Sequence, residues 1–127
     1  MKTLSTLTST PAVAPLMGAN AFAAPSGTVA FLMPDKASTR HEQHDLPSFK
    51  AQMAKLRPDC TVVYQNATAD ATLQQQQFNS VIAQGAKVIV LDPVDSAAVA
   101  ALVSLAKSQS IKVIASDRPI PRKAADY

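Results

Sequence analysis

An aspartate and an arginine stand side by side at positions 117 and 118, directly after an apolar run. The carboxylate of Asp117 accepts hydrogen bonds, and the guanidinium of Arg118 donates several in a fixed fork. Because a hydroxyl group both donates and accepts, a polyhydroxylated ligand can bridge such a pair through charge-assisted hydrogen bonds. The alternative interpretation is a surface ion pair without function.

Metal binding and catalysis are not expected from the remaining reactive side chains. His41, Glu42 and His44 have the spacing H-E-x-H, which differs from the HExxH that places two zinc ligands on one helical face. A solvated turn or a ligand-contacting loop is the expected role of this segment. No glycine-rich phosphate loop and no G-x-S-x-G turn is present, and no nucleophile–base pair is evident. We therefore predict a binding protein without a cofactor.

Alternating apolar runs and amphipathic stretches indicate the elements that must position these side chains. Short, almost continuous apolar runs are typical of strands buried on both faces of a parallel sheet. They predict strands over residues 28–33, 61–66, 87–91 and 112–116. Three helices are expected between them. The first runs from about residue 45 to 56, with residues 39–44 as a preceding turn. The second is capped by Asp70 and reaches residue 84, and the third is capped by Asp95 or Ser96.

The β-α-β-α-β-α-β order predicts right-handed crossovers and an open, doubly wound parallel α/β sheet of the Rossmann-like kind. Such sheets bind ligands beyond the carboxyl ends of their strands. That rule selects residues 34–44, 66–70, 92–95 and 117–119, where polar side chains are concentrated. The glutamine run at residues 74–77 is interpreted as a helix surface without function.

The first 26 residues differ from the rest of the chain. They carry a single charge, Lys2, and end in a small-x-small pattern at residues 21–23, which predicts a secretory signal peptide, with a disordered leader as the alternative. Proline and glycine interrupt the apolar stretch at residues 11–24, so no membrane span is expected. The net charge of +3 is scattered, which gives no support for nucleic-acid binding. We expect an exported protein.

Two motifs at strand ends resemble a known family. Asp-Pro-Val-Asp-Ser at residues 92–96 and Asp-Arg-Pro-Ile at residues 117–120 are similar to type I periplasmic sugar-binding proteins, above all the xylose- and ribose-binding receptors of ABC transporters. Residues 30–33, 40–43 and 76–79 add to the likeness. The resemblance implies a monosaccharide ligand, a membrane permease as partner and a periplasmic or cell-envelope location.

The resemblance also implies roles for five residues. Asp117 and Arg118 would contact sugar hydroxyls, and Asp92 would make a further polar contact. Arg40 matches an arginine of the first loop. His41 takes the position where these receptors often have an aromatic ring that stacks on the sugar.

Length separates this chain from complete receptors of that kind, which have two lobes joined by hinge strands. Residues 27–127 are expected to form part of the N-terminal lobe, with the fourth strand as an exposed edge. One alternative is a truncated remnant that does not bind sugar. The other is the effector domain of a LacI-type transcription regulator, which the absence of basic amphipathic helices in residues 1–26 disfavours.

Overall fold

Parallel strands form the centre of the chain in the computed structural model, which describes residues 27–121 and 125–127. The described residues form a sheet in the order β2-β1-β3-β4, with every neighbouring pair parallel. Its strands are β1 (Gly27–Met33), β2 (Cys60–Asn66), β3 (Ala86–Leu91) and β4 (Lys112–Ala115). The predicted parallel α/β sheet is confirmed. The predicted signal peptide, residues 1–26, lies outside the described residues.

Helices alternate with these strands and cover both faces of the sheet. They are α1 (Leu46–Leu56), α2 (Ala71–Ala83) and α3 (Ala100–Ser108). Successive strand residues point to opposite faces, so Phe31 and Leu32 enter different layers of the core. Phe31 stacks on Phe49 of α1, with ring centroids 4.5 Å apart. Leu32 packs in the larger cluster with Phe78 of α2 and Val103 of α3. The apolar run of β1 is continuous because this central strand is covered on both sides.

The caps of α2 agree with the sequence pattern. The Asp70 carboxylate accepts hydrogen bonds from the backbone N–H of Thr72 at 2.8 Å and of Leu73 at 3.0 Å. These two donors have no partner inside the helix, so the side chain satisfies them. Gly85 follows the helix with φ of +82°, in the left-handed region that glycine adopts without steric cost.

The predicted turn at residues 39–44 is wrong. The chain is helical from residue 39, and His41–Asp45 forms a π-helical turn that runs directly into α1. The backbone N–H of Leu46 bonds to the carbonyl of His41, five residues earlier. Pro47, in the first turn of α1, has no N–H to donate to the carbonyl four residues before it. The wider π turn accommodates that missing bond without ending the helix.

The third helix and the fourth strand also differ from expectation. Asp95 accepts bonds from Ala97 N and Ala98 N at 2.9 and 3.1 Å, but it closes a turn before α3 rather than capping it. β4 is an edge strand of the sheet, as predicted, but this edge is partly covered. Ala115 N donates to the carbonyl of Tyr127 at 2.7 Å, and Asp126 N donates to that of Val113 at 2.7 Å, so the terminal residues satisfy backbone groups of this edge. Of the helices in the described part of the chain, none is long and apolar enough to cross a membrane.

Candidate functional site

The carboxyl ends of β1, β3 and β4 bring three of the four predicted site segments together, those at residues 34–44, 92–95 and 117–119. Asp92 follows β3, which lies between β1 and β4 in the sheet. Backbone bonds continue past the strand ends, from Asp92 N to the carbonyl of Leu32 at 3.0 Å and from Ser116 N to that of Leu91 at 2.9 Å. The loops after the three strands therefore start in register, and their side chains converge over Asp92.

Asp92 is fully buried, with 0% of its surface exposed, yet within the described part of the chain neither carboxylate oxygen has a hydrogen-bond partner of ordinary geometry. The backbone N–H of Arg118 is only close enough to favour the charged form. Among residues 27–121 and 125–127, the nearest basic side-chain nitrogens are His41 Nε2 at 3.8 Å and Arg118 Nε at 3.9 Å. Burial raises the pKa of Asp92, while the positive charge of Arg118 acts in the opposite direction. A buried acceptor without a partner costs about 1–3 kcal/mol, and more when charged. Buried polar groups without a hydrogen-bond partner are rare in folded proteins, so the Asp92 carboxylate is a candidate for contact with a ligand.

Asp117 and Arg118 reach this carboxylate from the end of β4. Asp117 has φ of +63°, a left-handed conformation that aspartate tolerates better than most residues. Arg118 Nη1 donates to the carbonyl of Pro93 at 3.0 Å, and its Nη2 lies 3.6 Å from Asp35 Oδ2. The predicted Asp–Arg pair thus lies beside Asp92. Both side chains remain more than 40% exposed and can contact a ligand from solvent.

Arg40 and His41 approach from the helical segment after β1. Arg40 lies between two carboxylates, with Nη2 3.1 Å from Asp117 Oδ2 and Nε 3.1 Å from Asp45 Oδ2. Its pairing with Asp117, and more weakly with Asp45, raises the pKa of Arg40. His41 is only 3% exposed, with Nδ1 3.3 Å from Asp45 Oδ2 and Nε2 facing Asp92. The structure therefore brings all five predicted site residues into one cluster.

One atom each of His41, Asp92 and Asp117 lies within 4.8 Å of the others, a spacing that a metal ion could use. Two guanidinium groups already lie beside these carboxylates, however: Arg40 is 3.1 Å from Asp117 and Arg118 is 3.9 Å from Asp92. A divalent cation would have to enter against two fixed positive charges. Uncharged hydroxyl groups suit this mixture of carboxylates and guanidiniums better.

Sequence reasoning missed two residues of α2 that support the site. Gln74 is 1% exposed, and its carboxamide bonds to the backbone of Asp92 and Val94 at 2.8 Å each. Gln77 Nε2 donates to the carbonyl of Asn66 at the end of β2, at 2.9 Å. Interpreting residues 74–77 as a helix surface is therefore wrong for these two. A signal was present, because Gln74, Gln77, Phe78 and Val81 have the spacing of a buried helical stripe.

A second polar cluster, also missed, ties the segment after β1 to β2. Tyr64 donates its hydroxyl hydrogen to Glu42 Oε1. Asn66 Nδ2 donates to the carbonyl of Asp35 at 2.9 Å and lies 3.2 Å from Glu42 Oε1. Burial, together with the bond to Glu42, raises the pKa of Tyr64 to about 12. These contacts hold the π-helical turn against the sheet, with His41 on its inner side.

Comparison with proteins of known sequence and structure identifies the family to which this fold belongs. The profile of the periplasmic binding protein domain matches residues 29–127. An ABC transporter solute-binding protein from Clostridium phytofermentans with bound β-D-glucose is 29% identical, with a TM-score of 0.71 over 79% of this chain and 30% of that one. A carbohydrate transporter solute-binding protein from Chloroflexus aurantiacus in complex with D-glucose is 28% identical, with a TM-score of 0.68 over 78% and 28%.

A third structure, an ABC transporter solute-binding protein from Mycobacterium smegmatis with bound glycerol, is 25% identical, with a TM-score of 0.66 over 78% of this chain and 33% of that one. The chain thus spans about a third or less of the length of these three proteins. The match to the family profile covers most of the sequence and nearly every described residue. The chain belongs to the periplasmic binding protein domain family.

Proposed function

We propose that this chain supplies part of the sugar site of a solute-binding protein that serves an ABC transporter. A neutral monosaccharide or polyol is held at the carboxyl ends of β1, β3 and β4 by Asp92, Asp117 and Arg118, with Arg40 and His41 at the rim. The observation that carries the proposal is the buried Asp92 carboxylate, whose two oxygens accept no hydrogen bond within the described part of the chain. Ligand hydroxyls complete it when the exposed side chains of Asp117 and Arg118 move aside to admit the ligand.

The related structures contain glucose and glycerol, and both are uncharged and rich in hydroxyl groups. They support the general ligand class. A xylose- or ribose-like sugar is our finer prediction for this chain. Residues 27–127 would then be part of an N-terminal lobe and residues 1–26 its leader, with export to the periplasm and a permease as the membrane partner. No enzymatic activity is proposed.

The ion pair between Arg40 and Asp117 does not obstruct this role. Its side chains are 51% and 44% exposed, and an ion pair so open to solvent adds little stability. A sugar hydroxyl can therefore replace or bridge the 3.1 Å contact at little cost. Arg118 is held more firmly, through Pro93 and Asp35, and keeps its remaining N–H groups for the ligand.

The affinity of this chain alone should be low. Each charge-assisted hydrogen bond contributes about 1.5–3 kcal/mol, and less where water competes. Because Arg40, Asp117 and Arg118 are each 43–51% exposed, a ligand bound to them stays wet on one face. We expect a dissociation constant in the millimolar range or weaker, which corresponds to a binding free energy of about −4 kcal/mol.

Amide NMR titration of the isotope-labelled chain tests the proposal at this affinity. D-xylose, D-ribose, D-glucose, myo-inositol and glycerol are added separately, up to concentrations on the order of 0.1 M. At least one of the sugars should shift the amides of Asp92, Val94 and Arg118 along a saturating curve. Asp117→Asn should weaken that response, and asparagine suits the left-handed backbone at this position.

Asp59→Asn is the matched control, because it removes the same charge at the opposite, amino-terminal end of β2. It should leave the sugar response unchanged. If no sugar shifts the site amides at the highest concentration, the binding proposal is rejected in favour of a non-binding remnant. Micromolar binding would instead contradict the expectation that a site open to solvent binds weakly.

A further inference from the structure

Gln74 is a polar side chain in the centre of an apolar layer. It lies on α2 at 1% exposure, one helical turn from Phe78 in the core between α2 and the sheet. A carboxamide transferred to such a place without hydrogen bonds costs several kcal/mol. Its retention there is favourable only if both ends of the amide find partners.

Both ends do find partners, and both partners belong to the turn that follows β3. Gln74 Nε2 donates to the carbonyl of Asp92 at 2.8 Å, and Gln74 Oε1 accepts from the N–H of Val94 at 2.8 Å. Pro93, between them, has no N–H to offer. The Gln74 side chain thus forms hydrogen bonds with the backbone on both sides of Pro93 and restrains the turn.

This turn carries the central group of the candidate site. The N–H of Asp92 is bonded to Leu32 of β1, so with Gln74 both backbone polar groups of Asp92 are held. The carbonyl of Pro93 accepts from Arg118 Nη1 at 3.0 Å. A shift of the turn would therefore move the Asp92 carboxylate and the Arg118 guanidinium together.

From this geometry we infer that Gln74 is a positioning residue for ligand binding, which keeps Asp92 buried and unpaired and Arg118 in reach of the same ligand. The inference rests on the proposed function, but its structural part can be tested without a sugar. A residue that only fills the core would affect stability and leave the site side chains in place.

Gln74→Met is the main test, since methionine has a similar length and removes both hydrogen bonds. Gln76→Met is the matched control, because Gln76 is exposed on the same helix. The Asp92 carboxyl is followed by carbon NMR as the pH is lowered, and sugar affinity is measured by the amide titration. In Gln74→Met the turn should relax and the pKa of Asp92 should fall toward its ordinary value. Sugar affinity should drop by about tenfold, which corresponds to the loss of about one charge-assisted hydrogen bond to the ligand.

Gln76→Met should change neither property. If Gln74→Met unfolds less cooperatively or at lower temperature but keeps the Asp92 titration and the sugar affinity of the parent chain, Gln74 is only a core residue and the inference is overturned. If the parent chain binds no sugar, the proposed function fails, whereas the Asp92 titration still decides the role of Gln74.

A measurement on the unaltered chain covers the case in which Gln74→Met does not fold. The side-chain amide hydrogens of Gln74 and the backbone amide of Val94 should exchange with solvent far more slowly than the side-chain amide of Gln76. Equal exchange for the Gln74 and Gln76 side chains would contradict the restrained turn.

Discussion

Replacing Asp92 by asparagine should stabilise the chain while weakening ligand binding. The carboxylate is completely buried and neither oxygen accepts a hydrogen bond from the described residues. Because burial raises the pKa of Asp92, the folded chain holds the proton more tightly than the unfolded chain does. The ionised form therefore lowers stability, and asparagine, which has the same shape without the charge, removes that penalty.

Two opposing contributions set the size of the effect. An unsatisfied buried polar group costs about 1–3 kcal/mol, and a charged one costs more. The asparagine carboxamide keeps the first cost, so the substitution removes only the additional cost of the charge. The attraction to Arg118, 3.9 Å away, offsets part of this cost, but the arginine is 43% exposed and also lies near Asp35, so solvent and a second carboxylate weaken it. We expect Asp92→Asn to raise the free energy of unfolding by about 1 kcal/mol at neutral pH, which corresponds to roughly 4–8 °C in Tm for a domain of this size.

Urea and thermal unfolding, followed by circular dichroism, measure this difference at a series of pH values. The advantage of Asp92→Asn should be complete above the folded-state pKa of Asp92, shrink as the pH falls through that value, and vanish below the unfolded value near 3.8. Asp59→Asn, at an exposed position, should change stability by less than about 0.5 kcal/mol. A loss of stability in Asp92→Asn at neutral pH would refute the reasoning, since it would mean that the carboxylate is satisfied in the folded chain.

Three further outcomes are expected. Asp70→Ala removes the side-chain bonds to Thr72 N and Leu73 N and should lower the free energy of unfolding by about 1 kcal/mol, measured from the urea midpoint. The pKa of Tyr64 is raised from 10.0 to about 12, so the unfolded chain loses this proton at a lower pH than the folded chain does. The free energy of unfolding should therefore fall as the pH rises between these two values. Tyr64→Phe should abolish that part of the loss in alkaline unfolding curves. Phe78→Ala, at a position with 0% exposure, should cost about 3–5 kcal/mol in the same urea assay, and a cost below 1 kcal/mol would contradict its place in the core.

Much of the site could be located from the sequence because the carboxyl ends of all strands in a parallel sheet lie at the same edge. Once the strands are known, the residues that follow them must meet at one edge, and Asp92, Asp117 and Arg118 could be grouped on that basis. The side-chain contacts could not be derived in this way. The burial of Asp92 depends on β3 lying between β1 and β4, and the burial of His41 depends on a π-helical turn that the sequence pattern does not indicate.

Local rules determined the backbone elements of this chain. The apolar runs, the Asp70 cap and Gly85 act over a few neighbouring residues, so their effect is the same wherever the segment lies. Contacts between distant segments were decided only by the tertiary structure. The helical spacing of Gln74 and Phe78 can indicate that Gln74 is buried, but only the packing of α2 on the sheet brings its carboxamide within 2.8 Å of the turn after β3. Long-range packing also buries the Asp92 carboxylate without a hydrogen-bond donor of ordinary geometry among the described residues.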